Sequence, residues 1–406
     1  MASRRAFLKG SALAIFGLGA APAWLSRTVY AAEPGNRRRR VLVAIFQRGA
    51  ADGLNIVVPF GDKHYYDLRP TIAIPAPDGT AATVQDLDGF FGLHPALAPL
   101  APMFKQEQLA IIEAAGSPDP SRSHFDAQDY MESGTPGRKA TPDGWLNRAM
   151  PAEAGQPSPV RAVSIGPDLA RSLRGHNQAV ALTTLNDFQV RDAGSAAAFE
   201  SMYDSSVDTV LHGAGEATFD AVHLLRSIQK QPYTPAGGAQ YPRGQFGQAM
   251  QQIARLIKAD VGLEVAFADI GGWDTHVNQP GQLANRLGEF SQALAAFNQD
   301  MGDHMADVVV VTMSEFGRTA HENGNRGTDH GHANVMFAFG GGVRGGKVYG
   351  QWPGLAEEQL NEGRDLALTT DFRDVLGEMV SKHLGNRNLS AVFPGYANPK
   401  FRDVLG

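Results

Sequence analysis

The chain has 406 residues, with 36 lysines plus arginines against 42 aspartates plus glutamates, and no cysteine. A formal charge of −6 argues against nucleic acid as a partner, and the missing thiols exclude thiolate metal sites, iron–sulfur clusters and cysteine nucleophiles. The length is too great for one small core and suits a large α/β domain or a domain carrying a cap.

Ser3-Arg4-Arg5-Ala6-Phe7-Leu8-Lys9 is a basic stretch that leads into the apolar run from Gly10 to Leu25, and Val29-Tyr30-Ala31 offers a signal peptidase a cut after Ala31. That is the build of a secretory signal over residues 1–31. The paired arginines before Phe-Leu-Lys point to the twin-arginine route, which moves folded proteins. The expected partner during export is the twin-arginine translocase, and the expected location is periplasmic or secreted. An uncleaved anchor is the alternative. The apolar run, however, is shorter than the roughly 20 residues that a spanning helix needs, and Gly17, Gly19 and Pro22 interrupt it. No stable membrane span is therefore expected after cleavage. Losing Arg4, Arg5, Lys9 and Arg27 leaves 32 basic against 42 acidic residues, so the mature chain carries a charge near −10. Arg37 to Arg40 close a basic linker over residues 32–40, which either touches an anionic surface or, as charge runs usually do, stays solvated.

From residue 41 to 406 the pattern is that of one α/β domain. Val41-Leu-Val-Ala-Ile-Phe46 is a short apolar run suited to a strand buried on both faces. Leu93 to Phe104 reads as helical despite its prolines, Gln108 to Glu113 as the next strand, and Ser123 to Ser133 as a helix. Residues 140–260 are less regular. They hold weak strand patterns at Arg161 to Ile165 and Ala179 to Thr184, and helical ones around Ser195 to Leu211 and Gln245 to Ala259. This stretch is expected to form a mainly helical cap or insertion outside the main sheet. Leu263 to Ala268 then reads as a strand, Gln282 to Met305 as a long helix, and Asp307 to Thr312 and Asn334 to Phe339 as strands. Thr370 to His383 reads as a helix capped by Thr370 or Asp371. Buried strands alternating with helices predict a mostly parallel sheet flanked by helices on both faces.

In such a sheet ligands gather at the carboxyl ends of the strands, and the polar residues that stand out fall there. Asp52 follows the first strand, and Ser121, Ser123 and His124 follow the second. Asp274 and His276 follow the strand ending near Ala268, and Ser314, Glu315 and Arg318 follow the valine strand. Asp329, His330 and His332 precede the next one. Carboxylate and imidazole without thiolate suit Zn²⁺, Mn²⁺ and other borderline to hard divalent ions such as Mg²⁺ or Ca²⁺. Asp-Gly at 52–53 is more often a turn, and a serine near a helix start more often a cap. Asp329-His330-Gly331-His332 is the strongest local signal. His64, His94, His176, His321 and His383 lack such company and read as structural or solvent-facing. Gly340-Gly-Gly342 lacks the Lys-Ser/Thr that marks a phosphate loop and reads as a tight turn.

Phe46-Gln-Arg-Gly-Ala-Ala-Asp-Gly-Leu-Asn55, Ser121-Arg-Ser-His-Phe-Asp-Ala-Gln-Asp129, Trp273-Asp-Thr-His276, Ser314-Glu-Phe-Gly-Arg-Thr319 and Gly327-Thr-Asp-His-Gly-His332 together resemble the exported bacterial family catalogued as domain of unknown function 1501. That family is distantly similar to the alkaline-phosphatase and sulfatase-like superfamily. The resemblance implies an alkaline-phosphatase-like α/β fold and a two-metal site that acts on phosphate or sulfate esters. Carried over, Asp52 and Glu315 would hold one cation, and Asp274, His276 and His330 another. Ser123, or Ser121 next, would be the nucleophile, and Arg318 would steady the anionic ester. Phe316 takes the place of a ligand histidine, so the second site lacks a ligand unless Asp329 or His332 supplies it. Two functions follow as expectations. One is an exported metal-dependent hydrolase of small anionic esters. The other is a degenerate metal-binding member that acts as a surface or matrix partner without turnover.

Overall fold

Successive residues of an extended strand point to opposite sides, and the first strand uses this to feed two separate cores. Val41, Val43 and Ile45 enter one, while Leu42, Ala44 and Phe46 enter the other. The computed structural model describes residues 13–16, 40–151, 157–185 and 220–406. Its main strands are β1 (Val41–Arg48), β2 (Leu109–Gly116), β3 (Ala162–Ile165), β4 (Ala179–Leu182), β5 (Val265–Gly271), β6 (Val308–Ser314), β7 (Asn334–Gly340), β8 (Lys347–Tyr349) and β9 (Thr370–Asp371). They lie in the order β4-β3-β5-β1-β6-β7-β2-β8, with β9 joined to β2 and Leu13–Phe16 joined to the β4 edge. Of the nine, eight point the same way. Only β7 opposes them, antiparallel to both β6 and β2. The fold is thus a mixed, mostly parallel sheet with helices on both faces.

The valine run explains itself in this setting. Val308 and Val310 face the first core, and Val309 and Val311 the second, each burial being worth about 1.5–3 kcal/mol. The named helices are α1 (His124–Ser133), α2 (Trp145–Ala149), α3 (Gln245–Lys258), α4 (Gln279–Met301), α5 (Phe372–Glu378) and α6 (Leu389–Val392). Helices α3 and α4 cover the first core, the latter through Leu283, Leu287, Phe290, Leu294 and Phe297, which recur every three or four residues and so form one stripe. Helices α2, α5 and α6 cover the other face with Trp145, Leu146, Phe372, Val375 and Val392. Asp371 caps α5 by accepting from the Arg373 amide.

One expectation needs correcting. Within residues 140–260, β3 and β4 are not outside the main sheet but extend it in parallel from β5. Their four-residue length hid them in the sequence, since runs so short lack a clear period. The helix expected around Ser195 to Leu211 lies outside the described residues, as do residues 1–12 and 17–39 of the signal and linker. Among the described residues no helix is long and apolar enough to cross a membrane.

Candidate metal centre

The carboxyl ends of β1, β2, β5 and β6 lie along one rim of the sheet, and β7 begins there because it runs the opposite way. Five stretches of chain therefore meet: residues 49–56, 117–124, 272–278, 315–320 and 327–334. Their close approach depends on glycine. At Gly49 the backbone has φ +117°, and a Cβ there would lie 2.7 Å from the Asp274 amide nitrogen. At Gly327 a Cβ would lie 2.2 Å from the His276 carbonyl oxygen.

Three imidazoles converge at this rim. The Nε2 atoms of His124 and His276 each lie 3.1 Å from Nε2 of His330. Asp274 joins them, with Oδ1 at 3.0 Å from His276 Nε2 and 3.3 Å from His330 Nε2, and Oδ2 at 3.6 Å from His124 Nε2. His124, Asp274 and His330 each offer a ligand atom within 4.8 Å of the others. The opposite nitrogen of every ring is occupied. Nδ1 of His124 donates to Glu315 Oε1 at 2.8 Å, that of His276 to Asp329 Oδ1 at 2.9 Å, and that of His330 to the Arg122 carbonyl at 2.9 Å. A carboxylate and a carbonyl only accept, so each Nδ1 carries a proton, and a neutral ring presents its Nε2 lone pair to the others. Lone pairs at 3.1 Å repel unless a cation lies among them. The separations among His124, Asp274 and His330, 3.1–3.6 Å, are near the edge of a tetrahedron with metal–nitrogen bonds of about 2.0–2.1 Å. The donor set therefore fits a divalent ion of the Zn²⁺ type, and the hydrogen bonds behind the rings are those that orient ligating histidines.

The family described as protein of unknown function (DUF1501) matches residues 39–386. The chain belongs to that family. No curated protein matches it. Among solved structures it is similar to the C-terminal periplasmic domain of EcEptC from Escherichia coli in complex with Zn, at 8% identity over 75% of this chain and 74% of that one, with a TM-score of 0.34. It is also similar to alkaline phosphatase from the Antarctic bacterium TAB5, at 11% identity over 75% and 93% of the two chains (TM-score 0.32). A third likeness is to the lipoteichoic acid synthase LtaP from Listeria monocytogenes, at 9% identity over 76% and 68% (TM-score 0.32). These likenesses are remote, and the chemistry of this DUF1501 member is read from its own side chains.

Burial disfavours the Asp274 carboxylate, but the bond to Arg318 Nη1 at 2.7 Å and the nearby imidazoles hold its pKa below the usual value. Burial likewise opposes ionisation of Glu315, and bonds from His124, Gln128 and the Gly49 amide outweigh it. The Glu315 bond in turn raises the pKa of His124, while burial lowers that of His330.

The expected site residues divide into three groups. Asp274, His276 and His330 lie together at the rim. Glu315 and Asp329 stand behind histidines rather than beside a cation of their own. Asp52 and His332 are engaged elsewhere, and Arg318 is bound to Asp274. Both oxygens of Asp52 accept from the buried Arg69 guanidinium, at 2.6 and 2.9 Å, because a carboxylate sealed from water needs a counterion and this one is an arginine. Nε2 of His332 donates to the Ser117 carbonyl at 3.0 Å. Arg318 is buried, and its guanidinium bonds Asp274 and both the hydroxyl and the carbonyl of Thr328, so its donors are taken up within the protein. Phe316 is a wall of the site, its ring centroid 5.0 Å from those of His124 and His330. Ser123 is exposed at the N-cap of α1 and makes no capping bond, whereas Ser121 Oγ accepts from the Ser123 amide. His124, for which the sequence implied no ligand role, is in this cluster too, and its place after the second strand carries the same signal as the rest.

Proposed function

We propose that this protein is an exported, metal-dependent hydrolase of phosphate or sulfate esters built on a single divalent ion. The observation that carries the reading is the meeting of three imidazole Nε2 atoms and one carboxylate, each held from behind by a fixed partner. His124, His276, His330 and Asp274 would hold the ion. Bound there, it supplies Lewis acidity toward an ester oxygen and lowers the pKa of a ligated hydroxyl or water.

The remaining chemistry belongs to the chain. Ser123 stands next to His124 with its hydroxyl uncommitted to the helix and is the nucleophile of choice, with Ser121 second. The first amides of α1 favour an anionic group at that end. Phe316 keeps water from the rear of the imidazoles.

A second reading, metal binding without turnover, is favoured by one observation. Arg318 is committed to Asp274, and Arg122 to Asp365 and Glu362, so neither guanidinium is offered to a bound anion. Elemental analysis of the purified protein, followed by assays on p-nitrophenyl phosphate and p-nitrophenyl sulfate, separates the two. Hydrolysis with about one equivalent of metal, lost in Asp274→Ala and Ser123→Ala, supports the first reading. Metal without turnover on a wide ester panel supports the second.

A further inference from the structure

Gln279 is the first residue of α4, and its side chain is fully buried. A polar residue at such a place needs partners for every atom, and those it has link the loops that carry the candidate ligands. Nε2 donates to Asp52 Oδ2 at 2.6 Å. Oε1 accepts from the hydroxyls of Thr275 at 2.9 Å and Thr328 at 2.7 Å. Thr275 lies between Asp274 and His276, and Thr328 directly precedes Asp329 and His330. The backbones agree with the side chains: the Thr328 amide donates to the Thr275 carbonyl at 3.2 Å, and the Gln279 amide to the Arg326 carbonyl at 2.8 Å.

The sense of each bond in this chain is determined. A carboxylate only accepts, so the amide nitrogen of Gln279 must face Asp52 and its oxygen must face the threonines. Arginine only donates, so Thr328 Oγ1 accepts from Arg318 Nε at 3.1 Å and is left with its own proton to give to Gln279. Arg318 then donates through Nη1 to Asp274. A continuous series results: Arg318 donates to Asp274 at one end and to Thr328 at the other, Thr328 donates to Gln279, Gln279 to Asp52, and Asp52 also accepts from Arg69.

We infer that Gln279 is a positioning residue that sets the register of the Asp274–His276 loop against the Asp329–His330 loop, with Asp52 as its anchor. Resting on the metal reading above, this gives Asp52 a task at the rim that needs no contact with a cation. Its charge, neutralised by Arg69, fixes which way the Gln279 amide points. Loss of the amide leaves two buried hydroxyls and a carboxylate oxygen short of a partner, and the two loops can then shift by the few tenths of an ångström that ligand geometry does not tolerate.

The test is Zn²⁺ affinity of the full chain, measured by competition with a chromogenic chelator, together with the absorption of the Co²⁺-loaded form. Gln279→Leu and Thr328→Val are expected to weaken Zn²⁺ binding by about 10–100-fold, the usual cost of losing an outer partner of a ligand, and to alter the Co²⁺ spectrum. Asn147→Leu, which breaks a buried amide far from the rim, should lower the melting temperature without either change. Gln279→Glu should also weaken binding, because a second carboxylate then faces Asp52 where an amide donated. Thr328→Val keeps the test valid if Gln279→Leu does not fold. Wild-type affinity and spectrum in the variants overturn this inference alone. A wild-type chain that takes up no Zn²⁺ or Co²⁺ overturns it together with the metal reading.

Discussion

The bond between Glu315 and His124 shows how one residue can serve a site without touching what the site holds. Glu315 is buried and accepts from His124, Gln128 and Gly49 through a single oxygen, so it fixes both the tautomer and the tilt of the ring. Glu315→Gln, which exchanges an acceptor for an ambiguous amide, is expected to weaken Zn²⁺ binding by about 10–100-fold in a calorimetric titration, and an unchanged isotherm would remove Glu315 from the site. Histidines away from the rim make a different prediction. Burial lowers the pKa of His94 to about 4, and that of His383 likewise to about 4. His94 caps a turn by accepting the Ala96 amide at Nδ1, and His383 donates from Nε2 to the Val41 carbonyl. Unfolded, each ring takes its proton near pH 6.5. Between about 6.5 and 4 the unfolded chain therefore binds more protons, and stability falls as pH drops through that window, by roughly 3 kcal/mol per ring. Urea midpoints at pH 7 and 4.5 check this, and His94→Asn should flatten part of the slope. At this scale the sequence was an uneven guide. Asp274, His276 and His330 were visible because they crowd into short Gly-rich loops. The fate of Asp52 was not, since its counterion Arg69 stands 17 positions on in a segment with no pattern to link the two.

Elements were more legible than pairings. The runs at 41–46 and 307–312 announced β1 and β6 because a strand buried on both faces must be apolar throughout, and the long stripe of α4 followed from its period. The strands β3 and β4 are only weak signals in the sequence, since nothing in four apolar residues says which sheet they join. The loops between elements are held by exclusion as much as by bonding. Gly49→Ala would bring a Cβ against the Asp274 amide at a backbone angle that side chains rarely adopt, with an expected loss of about 1–3 kcal/mol and of metal uptake alike. Phe337→Ala, on the central β7, should cost about 3–5 kcal/mol while leaving the rim intact in any protein that still folds. Chemical denaturation paired with metal analysis distinguishes the two variants, and a Gly49→Ala protein with full metal content would show that the loop contact is dispensable.

For the whole molecule the expected dependence on metal is thermodynamic. An ion that binds only the folded chain adds about 2.7 kcal/mol at a concentration 100 times its Kd, so exhaustive chelation should lower the melting temperature and Zn²⁺ should restore it. Export is expected to need the leading pair of arginines. Replacing Arg4 and Arg5 together by lysine should leave the uncleaved precursor inside the cell, as followed by fractionation, and undiminished export would exclude the twin-arginine route. The seating of β1 between β5 and β6 has a consequence for timing. This strand finds its neighbours only after more than two hundred further residues have been made, and His330 comes later still. Such distant pairing is slow to form, so the nascent chain has nothing with which to grip an ion until synthesis is nearly finished. If the folded protein is what crosses the membrane, the choice of ion is made by the metal supply of the cytosol rather than by whatever the outside medium provides.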